Sequence, residues 1–140
     1  MNKVIAALDN SLATSPVLAT ASALAELFGA EVEPVHVRTD GARVARSVAE
    51  AAGLRLRELR GPIVESLCRT ADDPEVVALV LGARGTPVAK RPLGSTAVAV
   101  ATDIDKPLAV VPPDAQVAPS LRRVLVPIEA ASRSLTPRTI

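Results

Sequence analysis

Residues 76–96 read VVALVLGARGTPVAKRPLGST, and this stretch decides the fold. Residues 76–81 are apolar without interruption, the pattern of a strand buried on both faces at the centre of a parallel sheet. Gly82-Ala83-Arg84-Gly85 ends the run, and after the eight residues 86–93 comes Gly94-Ser95-Thr96. Ser95 begins a segment in which Ala97, Val98, Ala101 and Ile104 recur at helical spacing and are expected to face inward. Lys106-Pro107 then returns the chain to a second apolar run, residues 108–111. A strand, a glycine-bearing loop, a helix and another strand make a crossover unit, which pairs its two strands in parallel with a right-handed connection.

The same alternation extends upstream. Residues 4–8 (VIAAL) are continuously apolar and stop at Asp9-Asn10-Ser11, a second central strand ending in a polar turn. Ser15-Pro16 reads as a cap and first turn for a helix carrying Val17, Ala21, Leu24 and Phe28, with Gly29 as its stop. Residues 31–38 form the next strand, with firm pairing expected only after Pro34, which has no N–H to give a ladder. Asp40 is placed to cap a helix with Val44, Val48 and Ala51 on one face and Gly53 at its end. Residues 54–60 alternate Leu and Arg before slipping register, as suits an edge strand whose Arg55, Arg57 and Arg60 are solvated. Gly61-Pro62 opens a third helix through Ile63, Leu67 and Ala71, with Val64 and Cys68 beside them.

The element order is therefore βαβαβαβαβ, an α/β fold with one open five-stranded parallel sheet and helices on both faces. Strand order 3-2-1-4-5 puts the topological switch between the first and fourth strands. The loops that meet there, residues 9–15 and 82–94, hold the chain's polar and glycine signals. Residues 1–113 account for this domain. Residues 114–140 read as a linker and then LRRVLVPIE at 121–129, which repeats the character of KVIAALD at 3–9 and puts Glu129 where Asp9 stands. That segment is either the start of a second repeat, able to pair with another strand, or an ordinary further strand or tail.

Composition narrows the function. At 140 residues the chain holds one domain, and 16 Lys and Arg against 15 Asp and Glu leave no charge excess to attract nucleic acid or a membrane surface. Aromatic residues are 1% of the chain, so a bound base would lie between aliphatic walls instead of stacking on rings. Cys68 is the single cysteine and reads as a small buried hydrophobe; no disulfide and no zinc set can be drawn, and the compartment expected is the reducing cytoplasm. No apolar run is long enough to span a bilayer. His36 is the sole histidine, read as packing, so neither a Ser–His–Asp nor a Cys–His set can be assembled.

What remains is an anion cradle. Gly82, Gly85 and Gly94 allow close approach of the backbone, Ser95 and Thr96 offer hydroxyls, and the helix beginning there presents free N–H groups and the positive end of its dipole. Arg84, inside the loop, is a guanidinium within reach of an anion or simply a surface side chain. Lys90 lacks the glycine setting of a P-loop lysine, and the glycines follow the fourth strand instead of the first, against a dinucleotide site. Asp9 is either a turn former or an acceptor for sugar hydroxyls.

Gly-x-x-Gly, a spacer and Gly-Ser after a Val/Leu-rich fourth strand, with an Asp closing the first strand, resembles the universal stress protein family over nearly all of residues 3–113. The resemblance implies an adenine nucleotide, ATP or AMP, in the crevice between the first and fourth strands. Asp9 would contact the ribose or share Mg²⁺ with the phosphates, Ala7, Val37 and Leu81 would border the adenine, and Gly82, Gly85, Gly94, Ser95 and Thr96 would cradle the phosphates. The spacer 86–93 is one residue shorter than the family's usual one and carries Pro87 and Pro92. The resemblance further implies a stress-response sensor or regulator and a homodimer, or a tandem pair, joined through the fifth strand and residues 121–129. With no general base in view, any ATP hydrolysis would be slow. The alternative is a dimerising stress or scaffold protein whose loop no longer takes nucleotide.

Overall fold

The computed structural model describes residues 1–11, 13–38, 41–83 and 93–123. In chain order the elements are β1 (Lys3–Ala7), α1 (Thr14–Phe28), β2 (Glu31–Val37), α2 (Arg43–Ala51), β3 (Arg57–Leu59), α3 (Ile63–Ala71), β4 (Val76–Gly82), α4 (Ser95–Asp103) and β5 (Leu108–Val111). All pairings are parallel, as the alternation of apolar runs and helices requires, and the strand order is β3-β2-β1-β4-β5.

Because side chains alternate across a strand, β1 feeds two cores. Val4, Ala6 and Leu8 join Ala78 and Val80 of β4 against Val17, Leu18, Ala21 and Ala25 of α1 and Ala45 and Ala49 of α2. Ile5 joins Val35, Val37, Leu79 and Leu81 against Leu67 of α3 and Ala97 and Val100 of α4. The sheet is thus a layer between two pairs of helices, and its central strands are apolar on both faces for that reason.

Several local expectations need correction. Pairing along β2 starts at Glu31, opposite Lys3, and does not wait for Pro34. Glu31 sends its N–H to Asn2 of the β1 side, so residue 34, of opposite parity, points its backbone at β3; β3 meets β2 only from Val35 onward. Pro34 therefore lacks a donor where none is called for. The edge strand is three residues and not the seven of 54–60: Leu54 and Leu56 pack on the core from outside the ladder. α1 begins at Thr14, after Ala13, and Ser15 is not its cap.

Two helices are rotated from the faces their larger apolar residues suggest. In α2 the buried residues are Ala45 and Ala49, with Val44 and Ala51 exposed and Val48 half-buried. In α4 they are Ala97 and Val100, while Val98 is 50% exposed and Ala101 is exposed. Ile63 and Phe28 also reach solvent. Small side chains let a helix axis approach the sheet closely, and the bulkier ones are left on its flanks.

Gly29 ends α1 in the left-handed conformation (φ 61°), and the Ala30 N–H reaches back to the Ala25 carbonyl at 2.8 Å, a Schellman closure that an L side chain strains. Nothing lies within 4 Å of a Cβ added there, so the effect is conformational alone. Gly29→Ala is expected to lower stability by about 1 kcal/mol, measured by denaturant unfolding; an unchanged midpoint would count against a backbone-determined stop.

Asp40, the foreseen cap of α2, lies outside the described residues, as does the segment 124–140 with Glu129. Residues 112–123 leave β5 through a turn at Ala115, whose N–H bonds Pro112, and form no strand.

Candidate nucleotide site at the switch between β1 and β4

Ala7 and Leu81 are register partners on neighbouring parallel strands, so the chain segments that follow them, Asp9 and Gly82, emerge at the same end of the sheet. The chain after β1 turns toward α1, on one face, and the chain after β4 turns toward α4, on the other. The point where neighbouring strands send their chains to opposite faces is the place where open α/β sheets take ligands.

Asp9 forms one wall. Its Oδ1 accepts the Ser11 N–H at 2.8 Å and the Thr14 hydroxyl at 3.2 Å, while the same hydroxyl donates to the Asp9 carbonyl at 2.7 Å. Thr14 is buried and Asp9 is exposed. The turn-forming and ligand-facing readings of Asp9 are therefore compatible: Oδ1 fixes the turn, and in this exposed residue Oδ2 is bonded to no described group.

The opposite wall comes from β4 and α4. Ala83, 4% exposed, donates its N–H to Val111 at 2.8 Å and accepts the Gly94 N–H at 2.6 Å. The connection between them is closed at its base, and α4 starts directly from that closure. Gly94 sits at the cap (φ −73°, ψ 163°) with no side-chain bond of its own, and the first helical bond runs from Val98 back to Gly94. The N–H groups of Ser95, Thr96 and Ala97 precede any intrahelical acceptor, and with the helix dipole they favour an anion. Ser95 is exposed and Thr96 half-buried. Arg84 and Gly85, the other two expected phosphate contacts, and Lys90 lie outside the described residues.

Between these walls Ala7, Val37 and Leu81 stand on one sheet face, Ala7 half-buried and the other two buried, an aliphatic floor with no aromatic ring. Val37 ends β2 and has the parity whose N–H points toward β1, so it supplies a donor beside that floor.

Sequence reasoning missed two residues here. Asn10 was legible only as part of a polar turn, yet its side chain bonds Gly41 and Val44. His36, foreseen as packing, is indeed buried, but its Nδ1 also bonds the Leu8 carbonyl at 2.8 Å. Each contact joins residues about thirty positions apart, so no local pattern announces it.

Cys68 is half-buried instead of buried, and burial, then Asp103 and Asp72, push its thiol up, away from reactive thiolate. Among the described residues no group of three His, Cys, Asp or Glu side chains gathers as a metal set, and no helix is long and apolar enough to cross a membrane.

The model of the universal stress protein family matches residues 43–112, half of the chain. The chain belongs to the universal stress protein family. Among solved members, a universal stress protein in complex with cAMP is 25% identical, over 79% of this chain and 95% of that one, with a TM-score of 0.61. The Archaeoglobus fulgidus universal stress protein is 26% identical over 79% and 98%, with a TM-score of 0.60, and was also solved with dAMP. A universal stress protein of Pseudomonas aeruginosa, 20% identical, shares the fold with a TM-score of 0.69 over 81% of this chain and 48% of that longer one. No curated protein matches the sequence.

Proposed function

We propose that this universal stress protein binds an adenine nucleotide, ATP or AMP, at the β1/β4 crevice, and that occupancy of the site, not turnover, is its working state in a stress-response sensor or regulator. The observation that carries the reading is the pairing of an open-ended Asp9 carboxylate with the uncapped start of α4 across an aliphatic floor. Asp9 accepts ribose hydroxyls. The first-turn amides of α4 and the hydroxyls of Ser95 and Thr96, with Gly82, Arg84, Gly85 and Gly94, surround the phosphates. The base lies along Ala7, Val37 and Leu81, with the Val37 N–H at its edge. Relatives with cAMP and dAMP bound support the choice of adenine nucleotide. Asp9 is the one carboxylate assigned to the site, so Mg²⁺ would be held chiefly by phosphate oxygens and water.

Thermal unfolding with and without millimolar Mg-ATP tests this directly. A ligand that binds only the folded state adds about 2.7 kcal/mol at a hundredfold excess over its Kd, a rise of several degrees. A flat response from folded, ligand-free protein would sink the reading.

A second observation favours an assembly role that does not need nucleotide. β5 is an edge strand of Leu108-Ala109-Val110-Val111 without a charge, its first three residues half-buried, and no described strand lies beyond it. An open apolar edge accepts another strand. Pairing of two copies, or of tandem domains, through β5 and residues 121–129 would satisfy it. Nucleotide-insensitive melting together with a dimeric mass by light scattering is the result expected if this role stands alone.

A further inference from the structure

Asn10 follows Asp9 directly, yet its side chain serves a distant part of the chain. Its Nδ2 donates to the Gly41 carbonyl at 2.6 Å and its Oδ1 accepts the Val44 N–H at 3.2 Å. α2 starts at Arg43 after Ala42, which has no side-chain oxygen with which to cap it. Val44 is the second residue of that helix, and its N–H needs an acceptor from elsewhere. Asn10 therefore caps α2 from outside and, through Gly41, ties the β2–α2 connection to the β1–α1 turn.

On the other side of Asp9 the chain is held by His36. The Leu8 N–H bonds the Val35 carbonyl at 2.8 Å, as a continuing ladder requires. The Leu8 carbonyl would next take the Val37 N–H, but it accepts the His36 Nδ1 proton instead. A carbonyl only accepts, so Nδ1 carries the hydrogen; Nε2, in a side chain 4% exposed, has no partner among the described residues. The imidazole thus ends the β1–β2 ladder and frees the Val37 N–H from it. The phosphate-facing wall is secured separately, by the Ala83–Gly94 bond.

We propose that Asn10 is a positioning residue that sets the gap between Asp9 and the base-facing end of β2, fixing the nucleoside half of the ligand and leaving the phosphate half untouched. This rests on the nucleotide reading above. Without the Asn10 bridge the two loops part on the base side only, while α4 and its closure at Ala83 stay as they are.

The test is calorimetric titration of wild type, Asn10→Ala and Asn10→Asp with ATP, adenosine and inorganic triphosphate. Asn10→Asp keeps an acceptor for Val44 and loses the donor to Gly41, so α2 stays capped in at least one variant. Asn10→Ala is expected to weaken ATP and adenosine about fivefold and to leave inorganic triphosphate unchanged; Asn10→Asp is expected to weaken adenosine as well. Faster hydrogen exchange at the Val44 amide of Asn10→Ala is the accompanying sign that the bridge is gone. If wild type binds ATP and both variants bind it equally well, or lose triphosphate in the same proportion, the role of Asn10 is overturned while the site stands. If wild type binds no ATP, the site itself falls and the proposal with it.

Discussion

Asp9→Asn is expected to weaken adenine-nucleotide binding about tenfold while leaving the melting temperature nearly unchanged. The amide oxygen still accepts the Ser11 N–H and the Thr14 hydroxyl that Oδ1 now takes, so the turn persists. What changes is the outward atom: an acceptor carrying charge becomes a donor facing ribose hydroxyls. Asp9→Ala removes the turn acceptor too. It should therefore lose more affinity and also about 1 kcal/mol of stability; the Thr14 hydroxyl keeps its bond to the Asp9 carbonyl, which limits the damage. Titration calorimetry beside thermal unfolding separates the two effects. Equal affinity in all three proteins would mean that the carboxylate is only a turn former.

Ile5→Ala is expected to lower stability by about 3–4 kcal/mol and the melting temperature by roughly 10–15 °C. Ile5 is fully buried on the central strand, beside Leu79 of β4 in register, and the main-chain atoms of β1 and its two neighbours, β2 and β4, cannot move in to fill the space it leaves. In a domain whose net stability is of order 5–15 kcal/mol, that is a large share. Val98→Ala, at a half-exposed position of α4, should cost under about 0.5 kcal/mol. A loss at Val98 comparable to that at Ile5 would restore the helix face read from the sequence and contradict the observed one.

The contrast between those two residues explains what the sequence could convey. Strands 76–81, 4–8 and 108–111 were legible to within a residue at either end because both faces of each are covered, so burial is written continuously along the chain. Parallel pairing followed from the alternation, which by itself leaves more than one strand order open. The face of α2 was misjudged because Ala45 and Ala49, which are buried, carry a weaker apolar signal than Val44; in α4 Ala97 was placed correctly, and the error was to choose Val98 over the equally apolar Val100. The edge strand was overdrawn since Leu54 and Leu56 are apolar for packing and not for pairing. At the site, Asp9 and the start of α4 were legible because a strand end and a helix start are local features. Asn10 and His36 act across the sheet, and nothing in their immediate neighbours records the partner.

The shortness of β3 has a consequence at the scale of many molecules. It pairs with β2 only from Val35 onward, and Glu31 and Glu33 of β2 and Arg57 of β3 add charge along that margin. A strand arriving there finds a three-residue ladder and ionised side chains, while β5, at the opposite margin, carries no charge. A sheet that can be extended at one margin only joins one neighbour and then has nothing left to offer a third. Edge-to-edge growth through β5, as proposed above, would therefore be self-terminating: the sheet would be completed once and would not propagate as a ribbon.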